Sequence, residues 1–283
     1  MPSAPHRRVD LAQLRRMKAA GEKFAMLTAY DYPTAQLAQA AGVHALLVGD
    51  SLGSVLLGHE TTRDTPLGLM ILLAEAVRRG APDVYLVGDM PYEAMAAGNE
   101  AVIRAALRFR DEAGCDAVKI EVGLEHLVLI QKLVGAGVEV IAHLGLRPQT
   151  ILSADAYRAQ ARDEHAIGEL VALALRCVEA GAAALLLEAV PNEASAAVAA
   201  AVSTPIVGCG AGPACDGHVV VTHDMLGLVA TRPPRFVPVL ASVARLCEDA
   251  MRTYVEDIAT RRYPAPEHVY PMKRQPVDTP AGA

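Results

Sequence analysis

Eight short apolar runs, at residues 24–29, 45–49, 84–88, 117–120, 138–142, 184–187, 205–208 and 218–222, constrain this chain more than any other feature. They are nearly unbroken in apolar character. A strand with one face in water alternates apolar and polar residues, whereas a strand buried on both faces does not. The runs therefore predict parallel strands covered on both sides. Helical stretches rich in Ala and Leu lie between them, at 33–41, 66–79, 99–113, 124–134 and 165–180. Gly80, Gly114, Gly135 and Gly181 stand where four of these helices should stop, as residues that accept the left-handed conformation. Three joints read alike: Ala40-Ala41-Gly42-Val43, Glu112-Ala113-Gly114-Cys115 and Glu179-Ala180-Gly181-Ala182.

Eight strands with intervening helices predict an α/β chain folded as a closed (β/α)8 TIM barrel. A doubly wound sheet would want a glycine fingerprint after its first strand, and Thr28-Ala29-Tyr30-Asp31 is not one. The length of 283 residues suits one barrel domain over residues 1–283, with a Pro-rich polar tail from about residue 263. That tail reads as an arm on a neighbouring subunit or as a loose end. The segment 146–163 is long and irregular and reads as a lid.

Charge and cysteine usage narrow the function classes. The formal net charge is −6, and Arg7–Arg8 and Arg15–Arg16 are short basic pairs of the kind found on solvated helix surfaces. Nucleic acid is not an expected partner. The five cysteines include no C-x-x-C pair, so neither a disulfide framework nor a zinc site is expected. Residues 1–10 are polar, and no apolar run approaches the ~18 residues of a membrane span. The expected setting is a reducing cytoplasm, away from membranes.

In a barrel of this kind chemistry sits at the C-terminal ends of the strands. Four runs end in an acid: Val48-Gly49-Asp50-Ser51, Gly88-Asp89-Met90-Pro91, Lys119-Ile120-Glu121 and Leu187-Glu188-Ala189. A single acid there is usually a helix N-cap. Four at equivalent places would crowd together, repel and need a counter-charge. A divalent cation supplies one, and carboxylate oxygens suit Mg2+. Lys119 adds a positive group at the same rim. His143 reads either as a proton or hydrogen-bond donor or as a satisfied core histidine. His218 and His223, around the last run, read as structural.

Two motifs mislead. Gly49-Asp50-Ser51-Leu52-Gly53 fits G-x-S-x-G and resembles the GDSL esterases. Those esterases need a late Asp-x-x-His to activate the serine, and the chain contains none. Ser51 is better read as a hydrogen-bond donor to substrate. Gly208-Cys209-Gly210-Ala211-Gly212 has Pro213 where a dinucleotide fingerprint wants Gly or Ala, and it comes late, so it reads as a tight substrate-facing turn.

An ordered set of motifs resembles the ketopantoate hydroxymethyltransferase family. It comprises Thr28-Ala29-Tyr30-Asp31, Val48-Gly49-Asp50-Ser51-Leu52-Gly53 with Gly58-His59, Asp89-Met90-Pro91, and Val118-Lys119-Ile120-Glu121. It continues through Ala142-His143-Leu144-Gly145-Leu146 with Pro148-Gln149, Leu187-Glu188-Ala189-Val190-Pro191, Gly208-Cys209-Gly210-Ala211-Gly212, and Asp216-Gly217-His218 with His223-Asp224-Met225-Leu226-Gly227. The match runs from about residue 11 to about residue 268. The resemblance implies a barrel of the phosphoenolpyruvate mutase/isocitrate lyase type. It implies transfer of a hydroxymethyl group from methylene-tetrahydrofolate to 2-oxoisovalerate through a Mg2+-stabilised enolate, giving ketopantoate for pantothenate biosynthesis. It also implies a homo-oligomer, commonly a decamer. By motif, Asp50 and Asp89 are the implied metal ligands, with Glu121 a further contact to the metal, directly or through water. Asp50, Ser51, Asp89 and Lys119 are the implied contacts to the 2-oxo acid, and Glu188 is the implied proton acceptor.

The chain departs from the family pattern at three places. Residues 63–73 replace a Leu-Pro-Val-Thr-like stretch and a Tyr-His helix, Val122 replaces a glycine, and residues 154–162 lack the usual lid glycines. Val122 is expected near the keto-acid pocket. These changes keep open a Mg2+-dependent carbon–carbon lyase or aldolase acting on another 2-oxo acid. A serine esterase is disfavoured by the missing Asp-x-x-His. A catalytically dead scaffold is disfavoured because Asp50, Asp89, Lys119, Glu121 and Glu188 are all present.

Overall fold

The computed structural model describes residues 8–151, 158–229 and 232–272. Eight parallel strands close into a barrel in chain order. They are β1 (Phe24–Thr28), β2 (Ala45–Val48), β3 (Tyr85–Asp89), β4 (Ala117–Glu121), β5 (Glu139–Gly145), β6 (Ala184–Glu188), β7 (Ile206–Cys209) and β8 (Gly217–Val220). Every apolar run named above contributes a strand. The barrel closes where β8 pairs with β1, Phe24 opposite Gly217 and Leu27 opposite Val220.

The helices are α1 (Leu11–Ala20), α2 (Tyr32–Ala40), α3 (Leu52–Val55), α4 (Leu67–Gly80), α5 (Tyr92–Ala96), α6 (Asn99–Asp111), α7 (Leu127–Gly135), α8 (Glu164–Glu179), α9 (Asn192–Ala201), α10 (Thr222–Met225) and α11 (Val243–Ala259). None among the described residues is long and apolar enough to cross a membrane. Successive strand residues point to opposite faces, which divides the core in two. Met26, Leu47, Val87, Ile141, Leu186 and Val219 fill the barrel interior. Leu11, Leu14 and Met17 of α1 join the same cluster. Leu46, Leu86, Ile120, Val140 and Leu185 face outward, in one cluster with residues of the surrounding helices. Asp10 caps α1 by accepting from Gln13 N at 2.7 Å, and Gly21, at φ 69°, ends it.

Two glycine stops differ from expectation. Gly42, Gly114 and Gly181 take φ of 82°, 66° and 102°, as the repeated joint requires. Gly80, by contrast, is the last residue of α4 and is not left-handed. A Cβ there would collide with the Tyr32 carbonyl oxygen, so this glycine serves the close approach of α4 to α2. Gly135 likewise ends α7 inside the helix, and the left-handed residue comes two positions later, at Gly137 with φ 74°.

Segment 146–163 opens with a 3-10 turn, Pro148–Thr150. Residues 152–157, which hold much of the expected lid, lie outside the described residues, as do residues 273–283 of the tail.

Candidate active site

Strand register brings the candidate residues to one rim. Asp89 pairs with Lys119, Glu121 with His143, and Glu188 with Cys209. Lys119 and Glu121 are two residues apart on β4, so both face the same side of the sheet. Lys119 lines a cavity of about 300 Å3 together with Asp50, Ser51, Asp89, Glu188 and Cys209. Glu121 is not on that wall. It lines a neighbouring cavity of about 230 Å3 with Arg147 and Gln149.

A line of contacts crosses the rim. Lys119 Nζ donates to Asp89 Oδ1 at 2.9 Å and lies 3.4 Å from His143 Nδ1. His143 Nε2 lies 3.2 Å from Glu188 Oε2, within ion-pair range but off the line of a hydrogen bond. An ammonium has no acceptor, so Nδ1 must accept from Lys119 and the proton of neutral His143 sits on Nε2, towards Glu188. His143 is fully buried, which with the neighbouring Lys119 charge lowers its pKa. It is therefore neither a free general acid nor an idle core residue: it separates Lys119 from Glu188.

Burial also governs the acids. It raises Asp89 to about 7, with Asp50 adding to the rise and Lys119 opposing it. It raises Glu121 to about 8, against the pull of Lys119 and of the Gln149 backbone N–H. Burial alone would lower Lys119, but the surrounding Asp89, Asp50 and Glu121 outweigh it and hold its pKa above the ordinary value. One ammonium thus faces three carboxyl groups, which resist full ionisation near neutral pH unless further positive charge joins them.

The donor set suits a hard cation. Asp50 and Asp89 offer only oxygens, and Glu121 Oε2 is buried without a partner among the described residues. No three His, Cys, Asp or Glu side chains among the described residues are grouped so as to hold an ion by themselves. The fit is therefore to an ion taking two carboxylates directly and completing its shell with substrate and water.

Ser51 is unlike an esterase nucleophile. Its Oγ lies 2.7 Å from Tyr30 OH, and burial pushes the Tyr30 phenol well above its ordinary pKa. Such a phenol stays protonated near neutrality and cannot serve as a base. Ser51 does line the cavity, as a group that meets substrate would. His218 is exposed on β8, and His223 stacks at 5.3 Å from Tyr30, so neither contributes to the line of contacts.

The family model described as ketopantoate hydroxymethyltransferase matches residues 8–266. The chain belongs to the ketopantoate hydroxymethyltransferase family. A relative from Geobacillus kaustophilus, named 3-methyl-2-oxobutanoate hydroxymethyltransferase, is 44% identical over 259 residues, covering 92% of this chain and 93% of that one. Among solved structures, phosphoenolpyruvate phosphomutase from Streptomyces platensis subsp. rosaceus superposes with a TM-score of 0.61 at 18% identity, covering 91% of this chain and 92% of its own. A 2,3-dimethylmalate lyase, described as a PEP mutase/isocitrate lyase superfamily member, gives 0.58 at 19% identity, covering 95% and 92%. Those two likenesses show the shared barrel fold.

Of the three departures, Val122 and residues 63–73 lie off the cavity wall. Val122, expected near the keto-acid pocket, is instead buried in the sheet–helix cluster and does not line the cavity. A residue one step beyond Glu121 turns its side chain to the opposite face. Ile71 and Leu72 lie on α4, and Arg63 stacks 3.8 Å over the Tyr92 ring. No residue of that stretch lies on the cavity wall, which takes the preceding Thr62, while Thr65 Oγ1 donates to the Asp50 carbonyl at 3.3 Å. In the lid segment, Gln160 N donates to the Ala189 carbonyl at 2.8 Å, and Ala154 to Tyr157 lie outside the described residues.

Gln149 is the residue that sequence reasoning left without a role. Its Nε2 donates to Asp50 Oδ2 at 2.9 Å and to the Met90 carbonyl at 2.8 Å. Its presence in the Pro148-Gln149 motif was the one available signal.

Proposed function

We propose that the chain transfers a hydroxymethyl group from methylene-tetrahydrofolate to 2-oxoisovalerate (3-methyl-2-oxobutanoate), giving ketopantoate. The observation that carries this reading is the line Asp89–Lys119–His143–Glu188, which sets an anion-holding end and a basic end on one cavity. The names of the relatives supply the acceptor and the transferred group.

The chemistry explains the residue types. The carbon beside a ketone is a poor acid, so its deprotonation needs both a base and charge stabilisation at the oxygen. Asp50 and Asp89 would hold Mg2+, with Glu121 supporting through water. The ion's contribution there is Lewis-acid polarisation of the 2-oxo acid's oxygens. Lys119 neutralises carboxylate or enolate charge, and Ser51 donates to the bound acid. Glu188 takes the C3 proton. The C–H electron pair moves into the enolate. Water releases the one-carbon unit from the folate nitrogens at the formaldehyde level, leaving tetrahydrofolate. C3 bonds to its carbon as the C=O π pair moves to oxygen, and Glu188 returns the proton to that oxygen, giving the hydroxymethyl group. The His143 ring beside Glu188 keeps the base apart from Lys119.

Assembly follows the same proposal. α11 has no buried residue, and it exposes Leu246, Met251, Tyr254, Val255 and Ile258. We place a contact between copies of this chain on that face, as the decamer implied by the family would need.

The decisive experiment incubates the protein with Mg2+, 2-oxoisovalerate and methylene-tetrahydrofolate and looks for ketopantoate. Glu188→Gln should lose exchange of the C3 proton with solvent while substrate still binds. Full exchange in that variant would remove Glu188 as the base. Exchange without product in the unaltered protein would overturn the hydroxymethyl acceptor reading and leave the enolate chemistry.

A further inference from the structure

Gln149 touches three of the four strands that carry the acids, although it belongs to none of them. Its side chain is buried, at 4% exposure for the residue. Both hydrogens of its amide are committed, one to Asp50 Oδ2 after β2 and one to the Met90 carbonyl after β3. Its backbone N–H donates to Glu121 Oε1 at the end of β4, at 3.0 Å.

The amide orientation is not open to choice. Its two partners are acceptors only, a carboxylate and a carbonyl, so the nitrogen must face them. A carboxylate at this position would put like charges together, and an apolar side chain would leave Asp50 Oδ2 without its donor. The second amide bond, to Met90, anchors the nitrogen against the neighbouring strand end, so the donor does not swing with Asp50.

We infer that Gln149 is a positioning residue for divalent-cation binding. It holds one oxygen of Asp50 so that the other carboxylate oxygen stays directed to the ion beside Asp89. Its backbone sets the height of Glu121 in the same act. The inference rests on the proposed placement of the ion at Asp50 and Asp89. Partners that orient metal ligands in this way typically shift metal affinity or activity by roughly 10- to 100-fold when removed.

The test uses Mn2+ alone as the probe, titrated into the full chain and read by electron paramagnetic resonance. Gln149→Met keeps length and packing but removes both donors. The expected result is a Kd for Mn2+ weaker by roughly 10- to 100-fold, with Asp50→Asn weaker still. The apparent Mg2+ requirement for C3-proton exchange should rise, and the exchange rate at saturating Mg2+ should recover. Purely structural damage would lower the folded fraction without moving the Kd of the remainder. If Gln149→Met does not fold, Gln149→Asn carries the same test, because its amide is one methylene too short to span both acceptors. Unchanged Mn2+ affinity in the folded Gln149 variant, with binding lost in Asp50→Asn, would overturn the inference and leave the site placement standing. Unchanged affinity in Asp50→Asn would overturn the placement and the inference together.

Discussion

Replacing Lys119 by Met should expose how the rim tolerates its acids. Lys119 is 6% exposed and Asp89 2% exposed, and their contact is 2.9 Å. Methionine keeps the length and removes the charge. Breaking a buried pair by deleting one partner costs about 3–5 kcal/mol, because the other charge stays behind unpaired. Asp89 can escape part of that cost by keeping its proton. Its carboxyl already stands at about 7 against an ordinary 3.8, with Lys119 opposing the rise. Between those two values the folded chain binds a proton that the unfolded chain has lost, so stability falls as pH rises, and it levels off above about 7. Without Lys119 the raised value moves higher and the fall continues beyond it. The gap between the two proteins should therefore widen above neutrality, by about 1.4 kcal/mol per pH unit. Urea unfolding at pH 6, 7 and 8 in the presence of a chelator measures this. Added Mg2+ should close part of the gap at pH 8, since a bound cation replaces the missing counter-charge. A gap that stays the same from pH 6 to pH 8, or one below about 1 kcal/mol at pH 8, would refute the counter-charge argument.

Two further outcomes separate neighbouring roles. Ser51→Ala should weaken 2-oxo acid binding by about 10-fold, the worth of one hydrogen bond to a charged group, and should leave enolate formation at saturation in place. The unaltered protein should not be labelled at Ser51 by a fluorophosphonate, and stoichiometric labelling there would revive the esterase reading. Val255→Asp puts a charge on the exposed apolar face of α11 and should shift the assembly to smaller species in light scattering, with the barrel's circular dichroism unchanged. An assembly of unchanged mass would move the contact between copies elsewhere.

The barrel was legible because burial on both faces leaves an unbroken apolar signature, which β1 and β8 also carry in sequence although Ala25 and His218 on their outer faces are exposed. The glycines were legible only where the need is local. Gly42, Gly114 and Gly181 answer to their own φ, whereas Gly80 answers to Tyr32, a residue 48 positions earlier that only the packing of α4 on α2 brings close. Val122 shows the same limit. Its neighbours in sequence include Glu121, but its side chain turns to the helices, so proximity along the chain misjudged its proximity to the cavity. Gln149 lay in a motif, yet its role depends on a carboxylate 99 positions away and a carbonyl 59 positions away, and no spacing rule reports either.

The acids at the strand ends differ from other acids by their shared burial more than by a lack of partners, since Asp89 accepts from Lys119 Nζ at 2.9 Å and from Asp50 N at 3.0 Å. Asp31 follows β1, but its two oxygens are taken by the backbone N–H and hydroxyl of Thr34, so it caps α2. Asp116 and Asp216 precede β4 and β8, at the opposite end of the barrel. There they hold the backbone N–H groups of Leu86 and Ile206 and pair with Arg78 and Lys18. Each of these three is fully employed by the fold. Asp50, Asp89 and Glu121 are buried together with one lysine among them, and Glu121 keeps an unpartnered oxygen. Glu188 lies across His143 from that cluster, on the same cavity wall. A fold gains nothing by burying three carboxylates around a single ammonium, because well-packed apolar residues would serve its stability better. The arrangement makes physical sense when a cation and an anionic substrate complete it. On the proposed reading, the separation of Glu188 from the cluster follows from the chemistry, since a base drawn into the ion's shell would no longer be free to take a proton.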